Sequence, residues 1–261
     1  MLPAVSTKHV KGLKYCIFDL EELISDQLLS KGSWNGENCY LASLVIGQII
    51  ETKKSGTLLD IGSGFGTFSI PLAKQFPLNL KVVAFEPQRP IFYQLCSNIL
   101  LNSLSNYFAK NVAVSSKNKV ELKHCLNVNR SCNHGSFSLI EEINDVRNIT
   151  KFEDDPLENI DFKTIDANFD SDDLIFVKIS VCGMESEVLS GMKNNILKNN
   201  NPPIIIESWK TDFNLDTYEK CMSQLKDFGY FAYVENNDFI FAVAENDQEF
   251  LKFFEKEAIK F

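Results

Sequence analysis

No two cysteines of the 261-residue chain are spaced C-x-x-C, and the seven present make an odd number. That excludes a dithiol redox motif and a closed set of structural disulfides, and reduced thiols are the reading. Positive charge is also short. Against 35 Asp and Glu stand 26 Lys and Arg, a net charge of −9, so no overall basic field gathers a phosphate backbone and nucleic acid is set aside as a partner. Long apolar runs are missing too. The longest nearly apolar stretch, "YLASLVIGQII", is too short to span a bilayer, and "MLPAVSTKHVKGLKYC" at the start holds no signal-peptide core. A soluble, cytoplasmic protein with no membrane partner is expected. No internal repeat or low-complexity tract interrupts the chain.

What is present suits an α/β fold. A hydrophobic content of 44% supplies a sizeable core. From about residue 56, short β-rich runs alternate with helical patterns: "GTLLDIG" and a helix near 65–75, "LKVVAFEP" and a helix near 88–104, "DLIFVKISV" and a helix near 185–197, then "PPIIIES". Alternation of this kind predicts βαβ units, a mostly parallel sheet and helices on both faces. Apolar stripes support two of the helices, one through Phe92, Leu95 and Ile99 and the other through Val188, Leu189, Met192 and Ile196. "YFAYVENNDFIFAVA" places two alternating runs around Asn236 and Asn237, predicting a C-terminal antiparallel hairpin. Residues 1–55 read as a helical lead packing on the core, with a helix at 38–50, and residues 56–261 as the main domain. Phe250, Leu251, Phe254 and Ala258 form the docking stripe of a last helix.

The chemistry begins at "LLDIGSGFGTFSI". A strand running into glycines and then a helix brings backbone close to a nucleotide. A dinucleotide fingerprint places its third glycine where Thr67 stands here, because Gly62, Gly64 and Gly66 are spaced G-x-G-x-G. S-adenosylmethionine has no phosphate and needs only close access of its methionyl part, so the departure favours it over NAD. Asp60, ending the strand, is placed to meet the donor's ammonium directly or through water. Glu86, 22 residues beyond Gly64, is spaced to accept hydrogen bonds from both ribose hydroxyls at the tip of the second strand.

"LLDIGSGFGTFSIPLAK", "VVAFEPQRPIFYQLCSNILLN", "NVAVS", "TIDANFDSDDLIFVKISVCGMESEVLSGM" and "PPIIIES", in that order over residues 56–208, resemble the FkbM-type family of class I S-adenosylmethionine-dependent methyltransferases. The resemblance implies a Rossmann-like class I methyltransferase fold and methyl transfer to a hydroxyl of a saccharide or other small metabolite. It implies a donor site of Asp60, Gly62, Ser63, Gly64, Phe65, Glu86 and Pro87, with Asn111 and Val112 near the adenine. One departure stands out. Where the family pattern reads Lys-Ile-Asp-Val-Glu-Gly, this chain has Ser180 and Cys182 in place of the two acids, with Lys178, Ser180 and Cys182 on one side of the strand.

A sulfonium methyl is already electrophilic, so positioning supplies most of the acceleration and a base helps with a poorly acidic alcohol. Glu207, ending "PPIIIES", is the candidate base facing the crevice. His134 in "SCNHGSFSL" is the alternative, its plain reading being a surface-loop imidazole. Lys178 and Ser180 complete the catalytic candidates. Glu185 and Glu187 open a helix whose dipole they suit, and Asp166 matches an acid of the family pattern. No metal site is expected: His124, Cys125, Cys132 and His134 lack zinc spacing, and the acidic run 153–173 lacks a calcium-loop pattern. Two alternatives stay open, a catalytically silent donor-binding protein and an NAD-dependent oxidoreductase.

Overall fold

The chain opens with an antiparallel hairpin, β1 (Val5–Val10) and β2 (Leu13–Phe18), turning at Lys11 and Gly12 with φ of 47° and 81°. Two successive positive φ values match the twist of a tight hairpin. The computed structural model describes residues 2–130, 133–147, 149, 155–169, 171–235, 239–247 and 252. This hairpin adds two strands to the helical lead expected over residues 1–55; a Lys-Gly turn lacks the Asn-Gly signature that sequence reading looks for. Two helices follow, α1 (Leu23–Lys31) and α2 (Gly36–Lys53), the second covering the expected 38–50 segment and burying Ala42, Val45 and Ile46.

The main sheet then builds through β3 (Gly56–Ile61), α3 (Ser69–Gln75), β4 (Leu80–Phe85), α4 (Arg89–Leu101) and β5 (Tyr107–Lys110). An insertion follows, with β6 (Ala113–Val114), β7 (Lys119–His124), α5 (Glu141–Val146), β8 (Leu157–Lys163) and α6 (Ile165–Asn168); its strands form a side sheet in the order β6-β8-β7. The chain returns through β9 (Leu174–Ile179), α7 (Glu185–Gly191), α8 (Lys193–Lys198), β10 (Ile204–Glu207), α9 (Leu215–Asp227), β11 (Tyr230–Glu235) and β12 (Phe239–Ala244). The single helix expected at 185–197 is broken at Met192, whose φ of −128° leaves the helical range, yet Val188, Leu189, Met192 and Ile196 are all buried as the stripe predicts.

Strand order in the seven-stranded sheet is β11-β12-β10-β9-β3-β4-β5. The five strands from β10 to β5 are parallel, and β12 runs antiparallel to both β10 and β11. Leu58 of β3 joins the core under α2, α3 and α4, while its neighbours Leu59 and Ile61 join the core under α7 and α9. Burial on both faces explains why β3 is apolar almost throughout. A parallel sheet that ends in an antiparallel hairpin in this order, with helices on both faces, is the Rossmann-like class I methyltransferase fold. The turn at Asn236 and Asn237 and the stripe of Phe250, Leu251, Phe254 and Ala258 lie outside the described residues.

The N-terminal hairpin is fastened by side chains rather than by the main sheet. Gln94 and Asn98 lie four residues apart on one face of α4, and Asn102, the residue that caps its C-terminus, continues the same spacing. Asn98 Oδ1 accepts from Cys16 N at 2.6 Å, Gln94 Nε2 donates to Cys16 O at 2.8 Å, and Asn102 exchanges two bonds with the backbone of Lys14 at 2.9 and 2.7 Å. These amides satisfy the outer edge of β2, which would otherwise present unpaired backbone groups.

Candidate functional site

A cavity opens at the C-terminal ends of β3, β4, β9 and β10, the side on which ligands of open α/β sheets bind. Its floor is the turn after β3. Gly62 has φ 75°, and a Cβ there would lie 1.8 Å from the carbonyl oxygen of Ser180, so the close approach of β3 and β9 forces glycine. Gly64 differs. Its φ is 54°, yet nothing lies within 4 Å of where a Cβ would stand, and the residue lines the cavity. The space over Gly64 is therefore a cradle kept clear of side chain.

Glu86, just past β4, faces that cradle and is almost wholly buried. Its Oε2 accepts from Gly64 N at 3.0 Å and its Oε1 from Gln88 N at 2.8 Å. Each carboxylate oxygen retains a lone pair, so the group can still receive two hydroxyl donors. Burial pushes its pKa up to about 7, although the two amides and the Lys178 ammonium favour the ion. Ser63, Phe65, Pro87 and Val112 also line the cavity. Asn111 does not; its Nδ2 donates to the carbonyls of Glu86 and Pro87 at 2.8 and 3.1 Å and so braces the loop that carries the carboxylate.

Asp60 has no exposed surface and is not part of the cavity wall. Its Oδ2 accepts from Ser69 Oγ, which lies 2.6 Å from the phenol oxygen of Tyr107, and its Oδ1 is 3.2 Å from Lys178 Nζ, an ion-pair contact. Lys178 also donates to Gly62 O at 2.6 Å. The carboxylate thus supports the glycine turn from beneath, through the Lys178 ammonium that bonds both groups.

Across the cavity from Glu86, Ser180 Oγ donates to Glu207 Oε2 at 2.9 Å, and both residues line the wall with Lys178 and Cys182. Cys182 takes φ 53°, uncommon outside glycine, and its Sγ donates to Gly135 O at 3.2 Å. Burial, then the neighbouring Glu185 and Glu207, push this thiol up to about 12, so it stays protonated and unreactive. Glu185 is buried at the start of α7, its Oε1 accepting from Gly183 N at 2.9 Å, and burial raises it to about 7.

His134 is not on the surface, contrary to its plain reading. It is buried in the cavity wall, held by a bond from its backbone N to Glu22 Oε1 at 3.3 Å, and its Nε2 is 3.0 Å from the carbonyl of Arg130. A carbonyl only accepts, so the proton sits on Nε2 and Nδ1 is the basic nitrogen. Sequence reasoning missed Glu22, Trp34 and Trp209. Glu22 carried a signal as an acid at a helix start, where it caps α1 by accepting from Ile24 N and Ser25 N. Neither tryptophan had one; both line the cavity from distant parts of the chain. Asp166 accepts from the backbone of Asn194 and Asn195, a cap for α8. Among the described residues no three His, Cys, Asp or Glu side chains converge as metal ligands, and Cys132 lies outside those residues. No helix among the described residues is long and apolar enough to cross a membrane.

No family model matches the chain, and no curated protein does. Solved structures do. The co-crystal structure of WbdD with the kinase inhibitor LY294002 aligns at 10% identity over 87% of this chain and 45% of that one, with a TM-score of 0.50. A precorrin-6y C5,15-methyltransferase from Geobacter metallireducens GS-15 aligns at 15% identity over 72% and 78%, with a TM-score of 0.42. TYW2 of M. jannaschii in complex with AdoMet aligns at 14% identity over 93% and 85%, also at 0.42. The chain spans less than half of the WbdD chain. At this identity the likeness to WbdD is one of fold alone.

Proposed function

We propose that the chain is an S-adenosyl-L-methionine-dependent methyltransferase that methylates a hydroxyl of a saccharide or other small metabolite. The observation that carries the reading is the pairing of the Glu86 carboxylate with the clear space over Gly64 at the ends of β4 and β3. Glu86 would hold the ribose hydroxyls, the turn from Gly62 to Phe65 would admit the methionyl part, and Pro87 and Val112 would flank the adenine. The donor supplies an electrophilic methyl group. What the chain supplies is placement of the acceptor oxygen, worth several kcal/mol and up to about 11, and a proton acceptor. Glu207 is that acceptor, kept in place by the Ser180 hydroxyl, with His134 Nδ1 as the alternative base on the same wall. The FkbM-type resemblance supports a hydroxyl target. Cytoplasmic residence belongs to the same reading.

One observation favours a second reading. Ser180 and Cys182 stand where the FkbM pattern carries acids, and the Cys182 thiol is spent on Gly135, as suits a protein that binds the donor without transferring its methyl. Calorimetric titration with S-adenosylmethionine and NAD, followed by a radiolabelled methyl transfer screen over sugars and hydroxylated metabolites, separates the readings. Donor binding with turnover supports the proposal; donor binding without turnover selects the silent protein. Binding of NAD alone would return the chain to the oxidoreductases, against which the antiparallel β12 already speaks.

A further inference from the structure

A second groove adjoins the cavity, and its charge is opposite to that of the chain as a whole. Lys11, Lys31 and Lys74 line it, and Glu37 is its carboxylate. All three lysines are exposed, and among the described residues none has a carboxylate within ion-pair distance; Lys74 Nζ donates to the carbonyl of Asn102 at 3.2 Å, a neutral partner that leaves its charge unbalanced. In a chain of net charge −9, three ammonium groups without an acid partner, gathered around one groove that holds a single carboxylate, form a local positive field. The groove is also continuous with the cavity: Trp34, Asn38, Thr67 and Phe239 line both, and Thr67 directly follows the glycine turn.

We infer that this groove receives the phosphorylated portion of the methyl acceptor, which makes the acceptor a small hydroxyl-bearing molecule with a phosphate or pyrophosphate group. The inference rests on the methyltransferase reading. The lysines bind the anion, Trp34 forms the wall between anion and reacting hydroxyl, and the hydroxyl reaches Glu207. Lys11 and Lys31 also sit beside the C-terminus of α1, where cations complement the helix dipole; the experiment distinguishes that structural role from binding.

The test uses the full chain, with tryptophan fluorescence and calorimetry reporting binding of inorganic pyrophosphate, glucose 6-phosphate and glucose, each with S-adenosylhomocysteine present. The two phosphorylated probes are expected to bind, more weakly as KCl rises, and glucose is not. The K11Q/K31Q/K74Q variant is expected to weaken pyrophosphate binding about tenfold or more, the sum of three exposed charge contacts, with homocysteine-adduct affinity unchanged. Should the variant lose stability through α1, K74Q alone, which lies on α3 and not on α1, is expected to weaken pyrophosphate binding about twofold to threefold. Pyrophosphate that fails to bind, or binds the variants as tightly as the parent, overturns the inference while leaving the donor reading intact. An RNA oligonucleotide that binds more tightly than either phosphorylated probe, and loses this in the variant, replaces the small-molecule acceptor with a polynucleotide. Failure of S-adenosylhomocysteine to bind the parent chain removes the donor reading, and the acceptor assignment with it, whatever pyrophosphate does.

Discussion

Lys178 Nζ lies 3.2 Å from Asp60 Oδ1 at the centre of the sheet, and the same ammonium donates to the carbonyl of Gly62. One cation therefore neutralises a fully buried acid and fixes the turn on which the proposed donor rests.

Removing either charge alone leaves the other buried and unpaired, at a cost of about 3–5 kcal/mol. Lys178→Met is expected to lower the urea midpoint sharply and to weaken S-adenosylmethionine binding through the loosened turn. Asp60→Asn/Lys178→Met is expected to recover much of the stability but little of the binding. A double-mutant cycle showing additive losses would mean that the two groups are not coupled.

Glu86 yields a pH dependence with a defined sign. Its carboxyl is raised from the ordinary 4.5 to about 7, and only the ionised form accepts from both ribose hydroxyls. Donor affinity is expected to rise about tenfold per pH unit below 7 and to level off above it. Calorimetry at pH 6, 7 and 8 checks this, and Glu86→Gln is expected to bind weakly with a flat profile. A parent chain with no such slope would detach Glu86 from the donor.

Glu185 predicts the stability counterpart. An acid raised from 4.5 to about 7 in the folded chain holds its proton more tightly folded than unfolded. Its contribution is complete below about pH 4.5 and is lost as pH rises through 7, on the order of 3 kcal/mol in total. Glu185→Gln is therefore expected to match the parent near pH 4.5 and to exceed it at pH 8, as measured by urea unfolding at both values.

The glycines of the turn are expected to separate folding from binding. Gly62→Ala drives a methyl group into the Ser180 carbonyl and should fail to fold or lose most of its stability. Gly64→Ala meets no neighbour and bears only the left-handed strain of about 1 kcal/mol, so it should fold while filling the cradle and weakening donor binding. Equal melting temperatures for the two variants would refute this division.

Glu207→Gln is expected to reduce kcat by about a hundredfold or more with donor affinity unchanged, whereas Ser180→Ala should cost less, since it only positions the carboxylate. A Glu207→Gln enzyme with full turnover would shift the base to His134, for which His134→Gln is the next variant.

Much of this architecture was legible in residues 56–208. Short apolar β-rich runs alternating with helical patterns gave the parallel strands, the spacing from Gly64 to Glu86 brought those residues together, and the alternating runs around Asn236 announced β12 and its antiparallel pairing. The rest depended on contacts between distant segments. The ladder from Gln94 to Asn102 reads as ordinary polar residues until β2 is placed beside it. Asp60 looked like a ligand group because its position at a strand end was visible, but its covering by Ser69, Tyr107 and Lys178 was not. His134 looked exposed because nothing near it in sequence reveals Glu22, 112 residues away.

The ladder on α4 has a wider consequence. Because it fastens β2 through side-chain amides, beside the burial of Tyr15, Ile17 and Phe18, the cavity is divided between two suppliers: the parallel sheet provides the floor, and the pinned front of the chain provides Phe18, Glu22 and Trp34 of the rim. Exchanging that front piece between proteins of this fold, with Gln94, Asn98 and Asn102 retained as the fastening, would change the rim of the cavity while leaving its floor intact.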